Sequence, residues 1–152
     1  MSKCARIALA AMLVVFLFAV HLALGTFYPT LGSKPLALAI HREFQASDTI
    51  VIDGTHSQAS SINFYTGQQL HMLNARTDNL WYGSLFPDSP PVFEDDSSFR
   101  KMWQGENRVF FVVYDRKGKE KLDALGRPYF EIAKSGGKRV YSNRPPLHPA
   151  QR

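Results

Sequence analysis

The sequence predicts an α/β protein, with one N-terminal transmembrane helix followed by a small three-layer-type domain. Its sheet should be mainly parallel, with an antiparallel C-terminal hairpin. Three observations carry that prediction. "DTIVIDG" (48–54) and "RVFFVVYD" (108–115) are compact apolar runs that suit strands buried on both faces. Segments of helical period lie between the strands, the alternation that builds a parallel sheet. "YFEIAKSGGKRVYSN" (129–143) reads as two strands around a Gly136-Gly137 turn.

The N-terminus comes first. "IALAAMLVVFLFAVHLALG" (7–25) runs for nineteen residues with no formal charge and only His21 as an interruption. As a helix it reaches about 28 Å, close to the thickness of a bilayer's hydrocarbon core. Lys3 and Arg6 precede it, and no basic residue follows until Lys34. That asymmetry predicts a single-pass protein of the cytoplasmic (inner) membrane, anchored through Ile7 to Gly25, with its C-terminal domain outside the cytoplasm. Ala23-Leu24-Gly25 also has the small-x-small form of a signal-peptidase site. The apolar run exceeds the roughly 7–15 residue core of a signal, which favours an uncleaved anchor. The expected organisation is an anchor over 1–25, a linker over 26–35 with Pro29, Gly32 and Pro35, a domain over 36–143 and a disordered tail over 144–152.

Within the domain, "LALAIHREFQ" (36–45) places Leu36, Ile40 and Phe44 at helical spacing. Strand 48–54 follows, then a helix over Ser57–Tyr65 that Gly67 ends as a C-cap. A strand over Gln69–Asn74 turns Leu70, Met72 and Asn74 to one face and His71 and Leu73 to the other. "TDNLWYGSLF" (77–86) reads as a short helix or turn capped by Thr77 or Asp78, and "PDSPPVFEDD" (87–96) as a surface loop. Asp96 or Ser97 should cap the helix "SSFRKMWQG", whose Phe99, Met102 and Trp103 share a face. After strand 108–115, Gly118–Gly126 is expected to form a short helix before the hairpin.

Charge is unevenly spread. Residues 26–99 carry three basic and eight acidic side chains, whereas 100–152 carry thirteen and five. The basic half suits anionic lipid or lipid-phosphate headgroups or a polyphosphate ligand, with Lys117, Lys119 and Lys121 as candidate contacts, although a solvated charged surface is the default reading of such a half. The basic residues are scattered and lack a recognition motif, so nucleic acid is not expected. Cys4 lies ahead of the apolar run, which excludes an internal disulfide and a thiolate metal site. His41-Arg42-Glu43 has the HxE form of zinc deaminases without its PCxxC partner, and no dinucleotide, P-loop, hydrolase or zincin motif occurs. No cofactor or metal is expected. Asp53-Gly54-Thr55-His56-Ser57 follows a strand at its C-terminal end, where open sheets bind ligands. Asp53 and His56 can act there as a base pair with Ser57 as nucleophile, although an Asp-Gly turn before a helix cap needs no such role. Trp81, Tyr82 and Trp103 suit a sugar-stacking or membrane-interface surface, but core packing is the default for all three. Asp95-Asp96 is explained by capping and the helix dipole.

"DTIVIDG", "SSINFYTGQQL", "DNLWYG", "SSFRKMWQGENRVFFVV" and "KRVYSN" occur in this order. Over about residues 7–143 the chain thereby resembles the exported C-terminal domain of multi-pass glycosyltransferases that draw sugars from polyprenyl-phosphate carriers, the aminoarabinose-transferase and protein-mannosyltransferase-like group. The resemblance implies a small α/β domain fed by a membrane helix, in which Phe64-Tyr65-Thr66-Gly67 ends a helix and locks it onto the sheet. The family's catalytic carboxylate and carrier-phosphate residues lie in loops of a many-helix bundle, so none carries over to a position here. The implied function is a non-catalytic accessory or binding module of a glycosyl-transfer system, inactive alone and partnered by a multi-span glycosyltransferase core. A small exported enzyme using Asp53, His56 and Ser57 is the alternative, as is an orphan fragment without independent activity.

Overall fold

The computed structural model describes residues 3–54, 57, 59–75, 82–114 and 116–148. The chain divides into two units, Met1–Gly32 and Ser33–Arg152.

The first unit is helix α1, Lys3–Leu31. Every side chain from 3 to 28 is exposed, and the stretch Lys3–Tyr28 is long and apolar enough to cross a membrane. A helix apolar on all sides has no face to present to water. The helix continues past Gly25 through residues expected in the linker: Thr26 Oγ1 donates to the Leu22 carbonyl at 2.9 Å. Its end is closed by the Gly32 N–H, which donates to the Tyr28 carbonyl at 2.8 Å. A Cβ on Gly32 would stand 2.8 Å from that same oxygen, so glycine is required there. Only Gly32 and Ser33 separate α1 from α2 (Lys34–Glu43). Pro35 falls in the first turn of α2, where a missing N–H costs no intrahelical bond, and so it opens a helix instead of breaking one.

The second unit is built on a six-stranded sheet. Its strands are β1 (Thr49–Asp53), β2 (Leu70–Leu73), β3 (Phe93–Glu94), β4 (Val109–Val113), β5 (Phe130–Ser135) and β6 (Lys138–Ser142), in the spatial order β3-β2-β1-β4-β6-β5. The first four run parallel, with Ile50 level with both Leu70 and Phe110. β6 runs antiparallel to β4, Phe111 opposite Tyr141, and β5 closes the edge. The hairpin turns through Gly136 and Gly137 at φ 57° and 78°, left-handed values that favour glycine.

Alternation along the buried strands divides the core in two. Ile50, Ile52, Phe110, Val112 and Val140 pack with Leu36, Ala37 and Ile40 of α2 and Ile62 of α3 (Ser60–Thr66). On the other face Val51, Leu73, Phe111, Val113 and Tyr141 pack with Phe99 and Trp103 of α4 (Asp96–Gln104) and Leu122 of α5 (Arg116–Ala124). The result is the expected three-layer α/β arrangement, its second face centred on Phe99 and Phe111 with ring centroids 4.5 Å apart.

Several local expectations shift. α3 begins at Ser60 and not Ser57, and Gly67 ends it as predicted, at φ 65° with its N–H donating to the Asn63 carbonyl. Asp95, one residue before the predicted caps, is the N-cap of α4; its Oδ1 accepts from the backbone N–H groups of Ser97 and Ser98 at 2.9 and 2.8 Å. Those bonds, chiefly the one from Ser98, hold its carboxyl below the ordinary carboxylate range. β3 lies inside the stretch read as a loop, since two residues between prolines and acids carry no strand period.

Residues 144–148, expected in a disordered tail, are tied down. Arg108 Nη1 donates to Glu43 Oε2 at 3.1 Å, with both side chains over nine-tenths buried. Arg108 Nη2 donates to the Pro145 carbonyl at 2.7 Å, and the N–H groups of Leu147 and His148 donate to Glu43. Burial raises the Glu43 pKa, but the bonds from Leu147, His148 and Arg108 outweigh it and leave the carboxyl below its ordinary value of 4.5. The folded state therefore releases this proton more readily than the unfolded one. The pair's contribution is complete above pH 4.5 and disappears as pH falls through the lower folded value. Glu43→Gln strands a buried guanidinium and should cost about 3–5 kcal/mol. Urea unfolding of the detergent-solubilised chain measures this, and the variant should also lose part of the acid-side decline in stability.

Candidate functional site

The strand order reverses between β1 and β4. The chain leaves β1 through α3 to β2 on one side, and returns from β3 through α4 to β4 on the other. In open parallel sheets the crevice at the C-terminal ends of such a strand pair receives ligands. Here it is occupied by α5. Gly118 sits so close to β4 that a Cβ would fall 2.5 Å from Val113 Cγ1 and 3.3 Å from Asp53 Oδ2. One turn later Lys121 Nζ donates to Asp53 Oδ1 at 2.5 Å. Asp53, read as a catalytic candidate, and Lys121, read as an anion contact, are thus two halves of one ion pair. The pair is partly buried, with side chains 15% and 34% exposed, and fastens α5 over the end of β1.

The other candidates are scattered. Ser57 is exposed at the start of the turn before α3, and His56 lies outside the described residues. Lys119 is exposed on α5; the side chain of Lys117 lies outside the described ones. Trp81 also lies outside the described residues. Tyr82 is 72% exposed, which removes the expectation that it packs in the core, whereas Trp103 is 2% exposed and does. Leu85 and Phe86 share the exposure of Tyr82, at 65% and 64%. The turn presenting them is closed by the Leu85 N–H to Tyr82 carbonyl and Ser89 N–H to Phe86 carbonyl bonds, at 3.2 and 3.0 Å. In the Phe64–Gly67 unit the work divides between neighbours. Tyr65 packs on the core with Lys34 Nζ 5.4 Å above its ring, while Phe64 meets it edge-on and faces outward.

The chain enters this unit at the same edge of the sheet. Ser33 Oγ accepts from Lys138 Nζ at 2.8 Å, and the next residue, Arg139, stands opposite Val113 at the end of β4. Lys138 also lies 5.3 Å above the Tyr114 ring, and burial lowers its pKa. Sequence reasoning missed the closure by α5. Its signal was Gly118, placed straight after the strongest strand, where a helix crossing close to a sheet needs a residue without Cβ.

No protein-family model matches the chain, and no curated protein does. Two crystal structures of ArnT from Cupriavidus metallidurans are similar to it. With the one bound to undecaprenyl phosphate the TM-score is 0.60 at 20% identity, over 78% of this chain and 21% of that chain. With the apo state the TM-score is 0.57 at 21% identity, over 76% and 20%. The likeness is one of fold, and the chain spans about a fifth of that protein's length.

Two substitutions test the closure. Gly118→Ala should lift α5 from Val113 and destabilise the domain by about 1–3 kcal/mol. Lys121→Met leaves the Asp53 carboxylate without its counter-ion and should cost about 2 kcal/mol. Both are read by urea unfolding, and hydrogen exchange of the α5 amides should quicken in each.

Proposed function

We propose that the chain is a membrane-anchored accessory module of a glycosyl-transfer system that uses lipid-linked sugars, related to the C-terminal domain of that transferase group. On this reading it docks on a multi-span glycosyltransferase core outside the cytoplasm and performs no transfer itself. The observation that carries the reading is a helix able to span a membrane, joined by two residues to a domain whose fold matches part of ArnT. That protein has been crystallised bound to undecaprenyl phosphate, a carrier of the chemistry the resemblance implies. The exposed trio Tyr82, Leu85 and Phe86 supplies an apolar contact for the partner, since aromatic side chains free of the core are the usual anchors of such contacts. Lys119 and Lys117 on α5 supply charge toward anionic headgroups. The engagement of Asp53 by Lys121 favours a structural use of that acid over the small-enzyme alternative.

Affinity capture of the tagged chain from detergent-solubilised native membranes should recover a multi-span glycosyltransferase. Replacing Tyr82, Leu85 and Phe86 together by Ser should reduce that recovery at least tenfold while leaving the fold intact; recovery of the chain alone defeats the docking reading. Lys117→Glu with Lys119→Glu, Lys121 being kept for Asp53, should weaken capture of the chain, held through α1 in uncharged lipid nanodiscs, by separate anionic vesicles, measured by co-flotation.

A further inference from the structure

A cavity of about 170 Å³ opens at the other edge of the sheet, between the end of α4, the residues entering β5 and those leaving β6. Its walls include Trp103, Gln104, Arg127, Asn143 and Arg144, and no carboxylate. The sequence builds these walls with rigid parts. Gly126, at φ 62°, ends α5 and delivers Arg127, and Pro128 fixes the next turn of the chain. Asn143 joins three segments: its Oδ1 accepts from the Val109 N–H at 2.8 Å, and its Nδ2 donates to the carbonyls of Trp103 and Asn107 at 2.9 and 3.1 Å. Arg144 Nη2 donates to the Gly105 and Glu106 carbonyls at 3.2 and 2.8 Å, which holds the guanidinium over the end of α4.

The donors left over define the chemistry. Arg127 makes no hydrogen bond or ion pair among the described residues, and Arg144 has Nη1 and Nε to spare. The indole N–H of Trp103, which is 2% exposed, is buried without a partner. Asn143, whose amide is fully used, contributes shape and no free group. Two guanidinium groups at a cavity with no acid among its lining residues match a small oxyanion, and Arg binds phosphate through paired N–H donors.

We infer that this cavity is a binding site for a phosphate monoester group, held between Arg127 and Arg144. The inference stands on the cavity alone and is independent of the docking reading. A phosphate monoester can belong to a soluble molecule or to a lipid headgroup. Either source presents the same phosphate oxygens to the two guanidinium groups.

Trp103 is its own reporter once Trp81→Phe leaves it as the sole indole. The full chain in neutral detergent is titrated with inorganic phosphate, with glycerol 3-phosphate, and separately with phosphatidate added to the micelles. A saturable change in Trp103 emission with phosphate or the soluble ester supports the site and a soluble ligand. A change with phosphatidate alone supports the site and assigns it a lipid headgroup. Arg127→Gln, at a side chain without a hydrogen bond or ion pair among the described residues, should weaken binding at least tenfold, and Arg127→Lys should restore part of it. Arg144→Lys provides a second wall variant. No change with any of the three, an equal change with chloride at matched ionic strength, or unaltered affinity in Arg127→Gln overturns the inference.

Discussion

The buried pair of Glu43 and Arg108 is the constraint on which the rest of the domain depends. One residue ends a segment and the other precedes one: Glu43 closes α2, and Arg108 leads directly into β4. Moving two charges out of water is costly, and the attraction between them returns that cost only where the remaining lone pairs and protons are also satisfied. Here the tail completes the set, Pro145 accepting from Arg108 while Leu147 and His148 donate to Glu43. A segment rich in proline and poor in apolar side chains is thereby ordered by polar bonds to a charge pair. It packs in no core of its own.

That arrangement fixes the N-terminal edge of the parallel strands, and the opposite edge is fixed by a second, looser set of polar ties. Lys121 holds α5 across the end of β1, and Lys138 holds Ser33 beside the end of β4. The basic half of the sequence is consequently not one charged face. Arg108, Lys121 and Lys138 are spent on internal partners and Arg139 pairs with Glu131 at 3.0 Å, while Arg100, Lys101, Lys119, Arg127 and Lys134 stay exposed without a hydrogen bond or ion pair among the described residues. Net charge read from the sequence overstates what a headgroup would meet.

What was legible in the sequence follows from how local its causes are. Strands β1 and β4 and their burial on both faces came from uninterrupted apolar runs, the helix end at Gly67 from a residue that tolerates left-handed backbone, and the hairpin from two adjacent glycines. The face of α4 came from the spacing of Phe99 and Trp103. What escaped depends on distant partners. β3 is two residues held by pairing to Met72 and Leu73, and the order of 145–148 comes from Glu43, about a hundred residues earlier. The same holds for the sites. Asp53 could be placed at a strand end, but its engagement by Lys121 required the crossing of α5 to be seen, and Arg127 and Arg144 meet only because β5 and β6 pair.

The junction at Gly32 and Ser33 has a consequence for binding strength. From Leu31 to Lys34 the three peptide units reach at most about 11 Å. A domain on so short a leash cannot diffuse away from whatever holds α1. Any partner held beside it meets it at an effective concentration in the millimolar range, as for sites joined by short linkers. Contacts far too weak to be detected between free molecules would then be largely occupied.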